Sequence, residues 1–347
     1  MRIRIKDIAD AAGVSPAAVS MVLNNRSGIG EKTSQKILSI ARSMKYDAER
    51  SSNLLHSRKT TIRFLYISRH GHVVNHEHEV FIANYIDGMS QATSTFSFAL
   101  EISKIPEGSI EEILHAATSD RIGGVIVLGT EIAKEELKGL SSINVPIVII
   151  DNYDEVLAYD FVDMNNKESV FTAVAHLVSK GHRKIGIVES YVATPNFAMR
   201  AEAFREAMKC QGLEFRKEFC YQVDSTFEGA YRDMSVALGA LGALEGLPKL
   251  PTALFCSNDI IAYGCIKALR ERAIRIPEDI SVIGFDNLPS SAMMEPALTT
   301  IEVSKQQIGR LAVQLLNDRI LARNSQPTSK ILVSGQLIER ASVRDIR

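Results

Sequence analysis

The sequence predicts a small all-α helix-turn-helix headpiece followed by an α/β core of two doubly wound parallel-sheet subdomains. Three observations carry that expectation. Residues 4–24, RIKDIADAAGVSPAAVSMVLN, set Ile5, Ile8, Ala9 and Ala12 at helical spacing, with Gly13 for a turn and Ser15 to cap a second helix. Charge is divided along the chain: residues 1–61 hold 11 Lys and Arg against 5 Asp and Glu, and the rest holds 29 against 36. From Ile62 onward, apolar strands alternate with amphipathic helices in two series of similar length.

In the head, Pro16 suits the first turn after the Ser15 cap, and Ala18, Val19, Val22 and Leu23 turn the second helix inward. Two short helices around a glycine turn place the second where a DNA major groove would receive it. The basic surroundings are what a phosphate-binding module requires. A third helix is expected from about Glu31 to Lys45 on Ile37, Leu38, Ile40, Ala41 and Met44. Residues 46–61 are polar apart from Leu54 and Leu55. They read either as a solvated linker or as a short helix that orders on DNA and offers a leucine to the minor groove.

In the body, 62–68, 96–103, 123–129 and 145–151 read as strands, with a helix at 80–93. The rhythm restarts with helices near 166–180, 197–211 and 260–272 and strands at 184–190, 252–259 and 280–286. Gly239-Ala240-Leu241-Gly242 reads as a flexible connection. Ligands of such sheets bind beyond the carboxyl ends of the strands, so a cleft between the subdomains is the expected site.

Composition excludes several classes. No stretch approaches the roughly 20 consecutive apolar residues that span a bilayer. The N-terminus carries charges at Arg2, Arg4, Lys6, Asp7 and Asp10 where a secretory signal would be apolar, so a cytoplasmic location without membrane contact is expected. Cys210, Cys220, Cys256 and Cys265 form no C-x-x-C pair, and no metal or other cofactor is expected. There is no G-x-x-x-x-G-K-[ST], no G-x-S-x-G and no strand-linked G-x-G-x-x-G, which argues against an enzyme.

The stretches IKDIADAAGVSPAAVSMVLNN, DRIGGVIVLG, VPIVIID, HLVSKGHRKIGIV, PTALFCSNDIIAYG, IPEDISVIGFDN and PALTTIEV follow one another in a specific order. In that order the chain resembles the LacI family of bacterial transcriptional regulators over nearly its whole length. The resemblance implies a homodimeric repressor that binds a palindromic double-stranded DNA operator. A small-molecule effector would lie in a core similar to periplasmic sugar-binding proteins. A sugar or sugar derivative is the implied effector class, with a nucleobase left open. The division it implies is 1–46 for the headpiece, 47–61 for the hinge and 62–347 for the core. One subdomain would cover about 62–161 and 292–322, the other about 162–290 and 323–341, with crossovers near 161–163, 288–292 and 321–325. The chain ends at Arg347 without the leucine heptad of the family's tetramers.

The resemblance further assigns DNA contacts to Arg4, Ser15, Pro16, Ala17, Ser20, Met21, Asn24, Thr33, Tyr46 and Leu55. Ser15 and Ser20 can donate to phosphates. Pro16, Ala17 and Met21 can touch thymine methyls but make no bidentate base contact, and Met21 stands where arginine is common. Ala48 and Glu49 replace the usual Pro and Asn of the hinge.

On the effector side it points to Arg69, His70, Asp151, Phe161, Arg200, Phe227, Asn258 and Asp286. Asp286 would accept vicinal hydroxyls, and the Arg200 fork would hold effector oxygens. Phe161 and Phe227 would either stack on a sugar face or pack in the core. Asp259 reads as a helix cap rather than a ligand contact. His70, His72, His76 and His78 fall within nine residues, but HEHEV is not H-E-x-x-H, so a polar effector loop is favoured over a metal site. The alternative function is a small-molecule-binding receptor module that acts without DNA; an export signal in place of the head would distinguish it.

Overall fold

The structure is a computed structural model, and it describes residues 5–23, 28–44, 60–106, 108–118, 122–242, 250–322 and 326–347. Arg4, Asn24, Tyr46, Leu55 and most of the expected hinge lie outside the described residues. The chain separates into two compact units, residues 1–60 and 61–347.

The first unit holds α1 (Ile5–Ala12), α2 (Pro16–Leu23) and α3 (Glu31–Ser43). Their apolar faces converge on a small core of Ile8, Ala9, Ala12, Val19, Ile37 and Ala41. Gly13 makes the turn with φ +69°, a conformation that a Cβ disfavours, and the Val14 amide donates back to the Ala9 carbonyl at 3.0 Å. Ser15 Oγ accepts from the Ala18 amide at 3.2 Å, capping α2 one residue before Pro16. The expected helix-turn-helix is therefore built as its caps dictate.

The second unit opens with β1 (Thr60–Ser68), α4 (Glu79–Thr95), β2 (Phe98–Pro106), α5 (Ile110–Thr118), β3 (Ile122–Leu128), α6 (Lys134–Leu137), β4 (Ile147–Ile150) and β5 (Asp160–Met164). A second series follows: α7 (Asn166–Ser179), β6 (Ile185–Ser190), α8 (Pro195–Cys210), β7 (Cys220–Val223), α9 (Phe227–Gly242), β8 (Ala253–Cys256), α10 (Asp259–Glu271) and β9 (Ser281–Ile283). The chain then runs through α11 (Ser290–Met293), β10 (Thr300–Glu302), α12 (Lys305–Ala322), β11 (Lys330–Val333) and β12 (Gln336–Ile338).

Two sheets result, ordered β11-β5-β4-β3-β1-β2 and β7-β6-β8-β9, with β10 and β12 forming a short antiparallel pair. The pairings β1–β3, β3–β4, β4–β5, β5–β11 and all those of the second sheet are parallel. Parallel strands need helices on both faces, which is why the four residues of β8 are all buried and β4 is apolar throughout. The doubly wound architecture expected from the strand–helix rhythm is present.

The helices α4 and α12 pack backbone to backbone across the first sheet. A Cβ on Gly88 would lie 2.0 Å from the Gln306 carbonyl oxygen, and one on Gly309 would lie 2.2 Å from that of Tyr85. The end of α12 is tied to β5 by the buried pair Arg319–Asp160, whose guanidinium also donates to the carbonyls of Gln326 and Pro327.

The chain crosses between halves at different places from those expected. Strand β11 pairs with β5 in the first sheet, so 330–333 does not belong with the second half; the crossing there comes at 334–336. Residues 298–302 stay with the second half. The Gly284 and Asp286 amides donate to the Thr299 and Ile301 carbonyls, and the Asp259 carboxylate holds Leu288, Ser291 and Thr300 together. These hydrogen bonds carry the second half past the boundary near 292 that the resemblance implied. Gly239 and Gly242 fall in the last turn of α9 rather than in a free connection. No helix among the described residues is long and apolar enough to cross a membrane.

Candidate functional site

The carboxyl ends of the two sheets face one another, and between them the side chains of both halves wall a cavity. Asp151, directly after the apolar strand β4, leaves it with φ 57°, and Asp286, just beyond β9, has φ 112°. Non-glycine residues held in this region mark points where the surrounding structure imposes a geometry.

Asp151 is buried and fully engaged. Tyr85 Oη and Asn196 Nδ2 donate to its Oδ1, each at 3.0 Å, and Thr130 Oγ1 donates to its Oδ2. Burial raises its pKa against the pull of Thr130, Tyr85 and Arg200. Behind it, Asp163 is fully buried, and burial together with the nearby Asp151 charge pushes its carboxyl well up.

Arg200 is placed by α8, which opens at the Thr194 cap and Pro195 and so aims its first turn at the cleft. Nη1 donates to the Ser257 carbonyl at 2.6 Å and Nε to Asn166 Oδ1 at 2.9 Å, while the guanidinium lies 3.8 Å over the Phe285 ring. Its Nη2 is 3.7 Å from Asp286 Oδ1, which accepts no hydrogen bond from the described residues. Burial pushes the Asp286 carboxyl up to about 7, against the opposing effect of Arg200.

The rest of the lining is largely apolar: Val73, Val74, Phe81, Ile82 and Phe197, the last of these beside Arg200 on α8. His78 closes one end with its Nε2 3.2 Å from Asn258 Nδ2. Burial and the Arg200 charge pull its pKa down to about 4, so the ring is neutral at pH 7. The walls leave about 40 Å³ free, room for a few waters. Such a site offers an unsatisfied carboxyl oxygen and a positioned guanidinium beside an apolar face, which suits a compact ligand rich in hydrogen-bond donors.

Four of the expected effector residues, Asp151, Arg200, Asn258 and Asp286, are brought together here. The other four are elsewhere. Arg69 ties the end of β1 to Gly108, Glu131 and Glu136, with a 2.8 Å ion pair to Glu136. His70 is an outward ring 3.5 Å from Glu131. Phe161 is fully buried in the core against Tyr153 and Tyr159, near the start of β5 and short of its carboxyl end, and does not line the cavity. Phe227 opens α9 and packs under Lys267 at 5.4 Å.

The helix cap expected at Asp259 is Asn258, whose Oδ1 accepts from the Ile261 amide at 2.8 Å. Among the described residues, no three His, Cys, Asp or Glu side chains converge to hold a metal. Tyr85, which donates to Asp151, and the lining residues Thr130, Thr194, Asn196 and Phe197 were not anticipated. The signal for the last three was the Thr-Pro-Asn-Phe opening of the helix that carries Arg200. In the head, Ser15, Pro16 and Ala17 are exposed, and Ser20, Met21 and Thr33 are partly so.

Residues 4–49 match the family model for bacterial regulatory proteins of the lacI family, and residues 174–343 match that for a periplasmic binding protein-like domain. An HTH-type transcriptional repressor PurR from Haemophilus influenzae strain Rd is 30% identical over 347 residues, covering 99% of each chain. A repressor of the same name from Glaesserella parasuis is 29% identical over 349 residues, 99% of this chain and 98% of the relative. Among solved structures, the transcriptional regulator CelR–cellobiose complex superposes with a TM-score of 0.71 at 21% identity, over 98% of this chain and all of the other. The lac repressor bound to ONPG does so with 0.70 at 20% identity, over 99% and 100%. At those identities the structures speak for the fold.

Proposed function

We propose that this chain, which belongs to the LacI family of bacterial regulatory proteins, is a transcriptional repressor whose grip on an operator is set by a small molecule in the cavity around Arg200 and Asp286. The observation that carries the reading is Asp286 Oδ1. It is a buried carboxyl oxygen that accepts no hydrogen bond among the described residues, 3.7 Å from a guanidinium that is itself held in place. A buried polar atom left unsatisfied costs about 1–3 kcal/mol, and a ligand that donates to it recovers that cost only when the two halves close.

The ligand is a compact polyhydroxylated molecule of the sugar class, admitted as the halves part, since the cavity as it stands has room only for waters. Adjacent hydroxyls donate to Asp286 and accept from Arg200, while its less polar face lies on Phe81, Ile82 and Phe197. Differential affinity for open and closed bodies is the energetic basis of the switch. A homodimer presents two headpieces to a palindromic operator. Ser15 and Ser20 position α2 on phosphates, and Ala17 and Met21 make methyl contacts in the major groove. Leu55 enters the minor groove from the hinge.

The test is a thermal-shift screen of the full chain against sugars, sugar phosphates, sugar acids and nucleosides, followed by DNA binding with each hit. A hit that shifts wild type and leaves Asp286→Asn unmoved supports the reading. A hit that shifts both equally removes it.

A further inference from the structure

The histidine-rich loop does not wall the cavity through His70 or Arg69, yet it is built with unusual care. Glu131, itself buried, accepts from the Arg69 amide at 2.6 Å and the Val74 amide at 2.9 Å. Asn75 accepts from the Glu77 amide at 2.9 Å and donates to the Gly71 carbonyl at 2.9 Å, and Ser68 Oγ donates to the Val74 carbonyl at 2.7 Å. The loop is thus folded on the first half alone.

What it presents lands on the second half. His72 Nδ1 is 2.9 Å from Asp224 Oδ2, and the His72 carbonyl accepts from Ser225 Oγ at 2.6 Å. The Glu77 carboxylate accepts from the Phe227 amide at 3.1 and 3.3 Å. Phe227 opens the 16-residue helix α9, so a carboxylate of one half sits at the amide end of a helix of the other. His78 reaches Asn258.

We propose that residues 71–78 are a clasp across the cleft, with His72, Glu77 and Ser225 as positioning residues that hold the two halves closed over the cavity. The geometry makes the ties act together. All start from one prefolded loop, all end on 224–227 or 258, and separation of the halves breaks them at once. Val73, Val74 and His78 belong to the same loop, so the clasp also brings the outer wall of the cavity into place. Asn196, in the first turn of α8, meets the first half through Asp151 and lies outside the loop's hydrogen bonds, which makes it an independent reporter of closure.

Amide hydrogen exchange of the full chain, without added ligand, tests the clasp. In the Glu77→Ala, Ser225→Ala variant, exchange is expected to rise tenfold or more in peptides covering 71–78, 224–230 and 194–200, with strands 185–190 and 253–256 unchanged. Glu77→Gln, which keeps an acceptor oxygen, should retain part of the protection. If only 224–230 accelerates, the contact is a local cap and the proposal fails. It fails equally if the core strands accelerate to the same extent, because the residues are then general structural ties.

Discussion

Asp286 Oδ1 stands 3.7 Å from Arg200 Nη2, and each side chain is only 5% exposed. The arginine is fixed by Ser257, Asn166 and the Phe285 ring, whereas the carboxyl oxygen accepts no hydrogen bond among the described residues. One member of the pair is thus already satisfied and the other is held ready. That asymmetry is the physical basis of the proposed ligand site.

Arg200→Met is expected to lose about 3–5 kcal/mol of stability, because it leaves Asp286 and Asp151 buried without their nearest positive charge. Urea unfolding measures it. Adding Asp286→Asn should restore part of the loss, since the two side chains share one electrostatic environment and their effects do not add.

The raised Asp286 carboxyl has a stability consequence whose sign is definite. The folded chain holds this proton up to about 7, whereas an unfolded aspartate releases it near ~3.9. Its contribution is full below the unfolded value and is lost as pH rises from about 4 to about 7. His78 runs the other way. Held down to about 4, it favours the fold above its unfolded value near ~6.5 and loses that contribution as pH falls through the folded one. The unfolding free energy of wild type minus that of Asp286→Asn should therefore fall with pH over that window and be level above it. The same difference taken with His78→Gln should rise over the acidic part of the range.

Phe161 separates packing from binding. It is fully buried away from the cleft, so Phe161→Ala should cost about 3–5 kcal/mol by cavity formation. The thermal shift produced by any hit from the screen should be unchanged. Phe197→Ala, in the cavity wall, should reduce that shift.

Gly309→Ala tests the packing that seats α12. The added methyl would sit 2.2 Å from the Tyr85 backbone oxygen, and backbone cannot yield as a side chain can. A loss of about 1–3 kcal/mol or more is expected in urea unfolding.

Much of this was legible in the sequence for definite reasons. Gly13, Ser15 and Pro16 specify a turn and a cap by backbone chemistry alone, and short apolar runs such as IVII, alternating with amphipathic helices, read as strands covered on both faces. Asp286 and Arg200 were found because a motif carried them. Whether Phe161 and Phe227 stack on a ligand or pack in the core stayed open in the sequence, because an aromatic residue in a strand or at a helix start carries no mark of what it packs against. The domain crossings were misjudged because side-chain hydrogen bonds across 41 residues, such as Thr300 to Asp259, leave no local pattern. Tyr85, Thr130 and Asn196 escaped for a related reason: they meet only where three segments distant in the chain converge on Asp151.

The central claim is that the cavity controls the headpiece, and operator binding measures it most directly. DNA fragments from the source genome would be selected on the full chain at low salt, and the enriched site titrated with and without each compound that stabilises the protein. The account predicts a palindromic site whose affinity changes at least tenfold with one compound in wild type and does not change in Asp286→Asn. A compound that binds the cavity and leaves operator affinity untouched in wild type would contradict it.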